Sequence, residues 1–269
     1  MGRRIPKVIH QTFPNKALPP ALAASCAHLR RQNRDWEYAL YDDDDIQDFI
    51  LGEYGPRILS DYSSISSDYG AARADLFRYL LMYQKGGAYI DVKSSCSKPL
   101  TSALKLDEGF VLSRWKNRQG GLFDGAGLHP ELASFKRGEL QQWHIICEPQ
   151  HPYLAAVIDR VLANVHHYRP WRAGVGRTGV LRVTGPIAYT LAIEPIKNEH
   201  KHIELDSNED IGLQYSALGS LDHRVFFKRH YTQMDSPIVS MRGPTRLLVQ
   251  AYITMRRIKH KLLNLDEDL

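Results

Sequence analysis

Between Ser67 and Lys93 the chain reads SDYGAARADLFRYLLMYQKGGAYIDVK, and this stretch restricts the fold more than any other. From Tyr69 to Tyr83 the apolar residues Ala72, Leu76, Tyr79, Leu80 and Tyr83 recur at intervals of three and four. That period is the stripe of a helix packed against a sheet. Asp75 and Arg78, three residues apart, fall on one face of the same helix. Lys85-Gly86-Gly87 then stops it, because glycine adopts the left-handed turn common at helix C-termini. Ala88, Tyr89 and Ile90 read as a short buried strand that delivers Asp91 to its tip. Strand tips are where open α/β sheets bind ligands.

This arrangement resembles the sugar-binding region of the DXD-containing glycosyltransferases of family 32 and their toxin-type relatives. Asp75, Arg78, Gly86, Gly87, Tyr89 and Asp91 meet that pattern in order. The match fails at one place: where the family carries a second Asp, this chain has Lys93, so the motif reads Asp91-Val92-Lys93. Two further segments agree with the resemblance. Ile5 to Phe13, with His10-Gln11 near its end, resembles the family's opening strand, and Val183-Thr184-Gly185-Pro186 resembles its Thr-Gly-Pro turn before a late helix.

The resemblance implies a GT-A type α/β fold, a single mixed sheet flanked by helices, and transfer of a hexose from a nucleotide diphosphate sugar to a polysaccharide or lipid-linked glycan. It implies retention at the anomeric carbon, with capsule or lipopolysaccharide as the product class. The alternative is a catalytically silent nucleotide-sugar-binding subunit of a glycan assembly complex. Asp75, Arg78, Asp91 and Lys93 are the expected catalytic residues. His10, Gln11, Phe13, Gly87, Tyr89, Thr184 and Gly185 are expected to line the nucleotide-sugar pocket. The family's second Asp holds Mn²⁺ or Mg²⁺ against the diphosphate. Here Lys93 weakens or replaces that ion, and Asp91 with His230 is the remaining candidate ligand pair.

Elsewhere the chain reads as ordinary globular sequence, 43% hydrophobic and 24% charged. Residues 1–241 are read as the transferase domain and 242–269 as a basic tail. In that tail Arg242, Arg246, Arg256, Arg257, Lys259, His260 and Lys261 interleave with Leu248, Ala251, Tyr252, Met255, Ile258 and Leu262 at helical spacing. Such a helix suits an anionic membrane surface. No helix-turn-helix or RNA-binding signature accompanies the net charge of +5, so nucleic acid is not an expected partner. No apolar run is long enough for a membrane span, and no secretory signal precedes Ile5. Three scattered cysteines, Cys26, Cys96 and Cys147, suit a reducing compartment, so a cytoplasmic protein peripheral to the inner membrane face is expected. Asp42 to Asp45 lacks the spacing of a calcium loop and reads as a helix cap. Trp171 to Gly179, glycine-rich and basic, reads as a flexible loop able to close over phosphates.

Overall fold

A computed structural model describes residues 4–121, 123–135, 137–216, 234–241 and 245–266. The chain opens with β1 (Val8–Thr12), α1 (Pro20–Gln32), β2 (Glu37–Tyr41), α2 (Asp43–Ser64), α3 (Gly70–Lys85) and β3 (Gly87–Ile90). Then follow β4 (Ser95–Cys96), α4 (Leu100–Ala103), β5 (Phe110–Leu112), β6 (His144–Cys147), α5 (Pro152–His166), α6 (Pro170–Ala173), α7 (Gly176–Val183) and α8 (Pro186–Ile193). Last come β7 (Ile203–Glu204), β8 (Leu213–Gln214) and α9 (Thr245–Asp266).

Six strands form one mixed sheet in the order β2-β1-β3-β6-β5-β7. β1 runs parallel to β2 and β3, while β6 runs antiparallel to β3 with Ile90 opposite His144. That reversal matters for the site: the end of β3 and the beginning of β6 lie at the same edge of the sheet, so residues 91 and 142–143 meet there. The small β4–β8 pair sits apart from the main sheet.

Side chains alternate between the sheet's faces, as the pleat requires. Tyr89, Phe110, Leu112, Ile145 and Cys147 join a core with α3, α5, α7 and α8, whereas Ala88, Ile90, Val111 and Ile146 pack with Ile9, Leu29 and Trp36. α3 is buried through most of its length, from Ala72 to Met82, which explains why its apolar stripe is so complete. Gly86 caps it with φ of 61°, the left-handed turn the sequence calls for. Gly87 is a close-approach position: a Cβ there would lie 2.5 Å from the Val8 carbonyl oxygen of the neighbouring strand.

The aspartate run caps α2, as its spacing implies. Asp42 accepts from the Asp45 N–H at 3.0 Å and donates its own N–H to the Asp45 carboxylate at 3.1 Å. Trp171 to Gly179, by contrast, is no open loop. It forms α6 and the start of α7, and Gly179 is there for packing, because a Cβ would meet Ile238 Cδ1 at 2.5 Å. Of the glycines that look like mobility in the sequence, Gly179 is a contact point, while Gly174 and Gly176 hold positive φ of 87° and 58°. The three cysteines are free and buried.

Three buried histidines make the fold sensitive to acid. Burial lowers the pKa of His10 to about 4, of His144 to about 3 and of His151 to about 4. An unfolded histidine titrates near ~6.5, so below that pH the unfolded state takes up protons the folded state refuses, and stability falls as pH drops. The contribution is complete above pH ~6.5 and is lost at up to about 1.4 kcal/mol per pH unit per group down to the folded values. Thermal unfolding should therefore give a Tm at pH 5 at least about 5 °C below that at pH 7.5, and His144→Asn should flatten the dependence if it folds. An unchanged Tm across this range would contradict neutral burial of these rings.

Candidate functional site

The site is assembled around the guanidinium of Arg78, which α3 presents to the sheet edge. Its Nη1 donates to both the carbonyl oxygen and the Oε1 of Gln142, each at 2.7 Å. Its Nη2 lies 3.4 Å from Asp75 Oδ1 and 3.1 Å from Asp91 Oδ1, and its central carbon sits 4.7 Å from the centre of the Tyr89 ring. Asp75 and Arg78 are thus no surface pair, since each side chain is only 6% exposed. Burial alone disfavours the Arg78 charge, but Tyr89, Asp91 and Asp75 more than offset it and hold the group above its ordinary pKa.

Asp75 is buried deeper than its expected role allows. Gln142 Nε2 donates to its Oδ1 at 3.1 Å and the Thr184 hydroxyl to its Oδ2 at 2.9 Å. Burial raises its pKa, opposed by Arg78 and by these two donors. With its lone pairs taken from three sides, Asp75 holds α3 to the α7–α8 junction and positions Arg78. Thr184 itself is fixed by Tyr79, whose hydroxyl donates to its carbonyl at 2.9 Å. Gly185 forms the N-cap of α8 beside it, with Pro186 at the first helical position.

Asp91 is the carboxylate that faces outward, its side chain 20% exposed at the end of β3. Its backbone is clamped: the N–H donates to the Trp143 carbonyl at 2.9 Å, and the carbonyl accepts from Ser94 N–H at 2.8 Å and Gln11 Nε2 at 3.2 Å. Gln11 is in turn held by the Tyr38 hydroxyl at 2.8 Å. The Tyr89 hydroxyl pairs with Thr12 Oγ1 at 3.0 Å.

Not every expected pocket residue reaches this point. His10 is buried between Tyr41 and the Gly86 carbonyl, 3.1 Å from each, and ties β1 to the end of α3. Gln11 supports the Asp91 backbone rather than facing outward. Phe13 packs with Leu22, Cys26 and Val92. Gly87 serves strand packing. His230 lies outside the described residues. Arg78, an expected catalytic residue, directs its Nη1 at Gln142 and its Nη2 at Asp75 and Asp91, so within the protein it orients Asp91.

Lys93 does reach the site. Its Nζ lies 4.0 Å from Asp91 Oδ2 and donates to the Tyr215 hydroxyl at 3.0 Å. Gln142 and Tyr215 are the residues that sequence reading missed. Neither sits in a recognisable motif, and each arrives through strand pairing: Gln142 just ahead of β6, Tyr215 just after β8.

Among the described residues the donor set does not suit a divalent ion. Arg78 faces one Asp91 oxygen and Lys93 the other, and the second acidic position of the family's motif holds a cation. Among the described residues no three His, Cys, Asp or Glu side chains group closely enough to hold a metal.

A carboxylate at the carboxyl edge of a mixed sheet, backed by an arginine on the preceding helix, stands where open α/β sheets bind ligands, and the fold, α/β of the GT-A type, agrees with solved glycosyltransferase structures. The PaToxG glycosyltransferase matches with a TM-score of 0.51 at 16% identity, over 74% of this chain and 73% of that one. The ligand-free glycosyltransferase domain of the YGT toxin matches with 0.51 at 9% identity, over 82% and 83%. Residues 19–110 match the family described as glycosyltransferase sugar-binding region containing DXD motif, and the chain carries that region with Lys93 in its last motif position. Mannosyl phosphorylinositol ceramide synthase CSH1 of Saccharomyces cerevisiae is 33% identical over 70% of this chain and 49% of its own length. Inositol phosphoceramide mannosyltransferase 2 of Schizosaccharomyces pombe is 26% identical over 72% and 48%. Inositol phosphoceramide mannosyltransferase 3 of the same yeast is 34% identical over 37% and 27%. The chain spans about half the length, or less, of these curated relatives.

The burial of the pair separates stability from chemistry. Removing one member of a buried ion pair strands the other, at about 3–5 kcal/mol. Arg78→Ala and Asp75→Ala should each lower unfolding free energy by that order in denaturant titrations, while Asp91→Asn, at a side chain 20% exposed and with an amide oxygen still able to accept from Arg78, should cost less than either. Equal stability in all three would refute the buried network.

Proposed function

We propose that this protein transfers a hexose, with mannose the first candidate, from a nucleoside diphosphate sugar to a lipid-linked or polysaccharide glycan acceptor. The observation that carries the reading is Asp91, held outward at the sheet edge by Arg78 within the sugar-binding region. Mannose is favoured by the names of the relatives, which act on inositol phosphoceramide or phosphorylinositol ceramide. Those names point to a phosphoinositol lipid acceptor and lend no support to a capsular or lipopolysaccharide product.

In this reaction the bond from the anomeric carbon to the phosphate oxygen breaks and a bond to the acceptor oxygen forms. Retention follows if both events occur on one face of the sugar, with the departing phosphate taking the acceptor's proton and no protein nucleophile taking part. Asp91 then orients donor hydroxyls, and charge on the leaving diphosphate is balanced by the Lys93 ammonium at the same edge. Purified protein given a panel of nucleotide sugars and a phosphoinositol lipid should transfer mannose. Asp91→Asn should lower kcat/KM at least about 100-fold, and NMR of the product should show the donor's anomeric configuration. Donor binding without transfer or hydrolysis from any sugar would instead establish the silent binding subunit.

A lipid acceptor calls for a membrane surface, and α9 suits one. Val249 and Ile253 pack against Val175, and Tyr252 lies 6.2 Å from Trp171. Leu247, Leu248, Met255 and Ile258 are each more than half exposed and share the opposite helical face. The helix sequence also carries Arg246, Arg256, Arg257, Lys259 and Lys261, which complement anionic headgroups. Among the described residues no helix is long and apolar enough to cross a membrane, and the proposed contact is peripheral, through α9. The full chain should sediment with phosphatidylserine vesicles at low salt, with binding lost in Leu248→Glu/Met255→Glu. Indifference to vesicles, or concentration-dependent dimerisation through the same residues, would overturn the assignment.

A further inference from the structure

Lys93 occupies a prepared cation site. Its side chain is 14% exposed, its ammonium sits 4.1 Å from the centre of the Tyr215 ring, and it donates to that ring's hydroxyl at 3.0 Å. Tyr215 is itself immobilised. Trp115 meets it edge-on at 5.1 Å and Trp143 at 5.4 Å, and the Ser94 hydroxyl donates to its carbonyl at 2.7 Å. A lysine left to itself is a flexible, strongly hydrated point charge. Here an aromatic platform removes most of that freedom and keeps the charge at the sheet edge.

The charge balance points the same way. Asp75, Asp91, Arg78 and Lys93 sum formally to zero. With a carboxylate at position 93 the same four positions would carry two negative charges, which a divalent ion would neutralise. Replacing that carboxylate by an ammonium raises the charge by two, the charge of the ion itself. The ammonium has three N–H donors and Tyr215 takes one, leaving two for phosphate oxygens.

We propose that Lys93, held by Tyr215, takes the place of the divalent cation on the donor's diphosphate, so that this protein binds a nucleoside diphosphate without metal. The proposal rests on the glycosyltransferase reading for the identity of the donor. Lys93 is then a substrate-contacting residue and Tyr215 a positioning residue that acts through it.

Calorimetric titration of GDP and UDP, first in EDTA and then with excess Mn²⁺ or Mg²⁺, tests this without measuring turnover. Wild-type protein should bind at least one nucleotide with affinities that agree within about threefold in the two conditions. Lys93→Ala should weaken binding at least about tenfold in both, the loss of a charge-assisted hydrogen bond. Lys93→Asp, which restores the second acidic position, should bind poorly in EDTA and recover with Mn²⁺. Tyr215→Leu should weaken binding in EDTA, and Tyr215→Phe, which keeps the ring, should recover part of that loss. Binding by wild type that requires the metal, with Lys93→Ala indifferent, overturns the lysine assignment and leaves the donor reading standing. No binding of either nucleotide in any condition overturns both. A Lys93→Asp protein that gains nothing from Mn²⁺ counts against the equivalence of ammonium and ion.

Discussion

A guanidinium taken out of water must find acceptors for its N–H groups, because each one left unpaired in the interior costs on the order of 1–3 kcal/mol. Arg78 meets that demand with groups from separate parts of the chain: Ala74 on its own helix, the Gln142 carbonyl and side chain, and the carboxylates of Asp75 and Asp91. Those parts cannot move independently without stranding the charge. The network therefore fixes the distance between α3, the tip of β3 and the approach to β6, and the outward aim of Asp91 follows from it. Asp75 extends the same network to Thr184, so the α7–α8 junction is held to the sheet edge by a carboxylate with no free oxygen.

How much of this was legible in the sequence depends on whether the signal is local. The Gly86-Gly87 stop falls between α3 and β3 as read. The Asp42 cap was legible because the capping geometry lies within four consecutive residues. The first half of the site was legible for the same reason, since Asp75, Arg78 and Asp91 belong to one helix–turn–strand unit.

The other half was not legible, because it is made by long-range pairing. Gln142 reaches Arg78 only because β6 runs antiparallel to β3, and no local pattern encodes that direction. Tyr215 reaches Lys93 because β4 and β8 pair, bringing together residues far apart in the chain. Burial, too, escaped the sequence. His10 and Gln11 are polar residues at the end of a strand, a pattern shared by pocket-lining and interior positions, and here their hydrogen bonds go to Gly86 and to the Asp91 backbone. In Trp171 to Gly179 glycine marks a close approach at Gly179 and positive-φ turns at Gly174 and Gly176 rather than a loose loop, which composition cannot distinguish.

One short helix links the two surfaces that the proposed function uses. At its N-terminal end α7 is tied to the body through Gly176, whose N–H donates to the Tyr69 hydroxyl at 3.1 Å, and that hydroxyl donates to the Ser236 carbonyl at 2.6 Å. Val175, immediately before α7, is the residue on which Val249 and Ile253 of α9 rest. At the C-terminal end stands Thr184, whose hydroxyl binds Asp75. With about 1.5 Å of rise per residue, the eight residues of α7 span on the order of 12 Å. The outward apolar face of α9 and the buried base of the Asp91 sheet edge are thus joined by a rigid element a little over two turns long. Under the proposed function, with sugar taken from solution and acceptor from a lipid surface, the two sources need a fixed separation, and α7 would supply it.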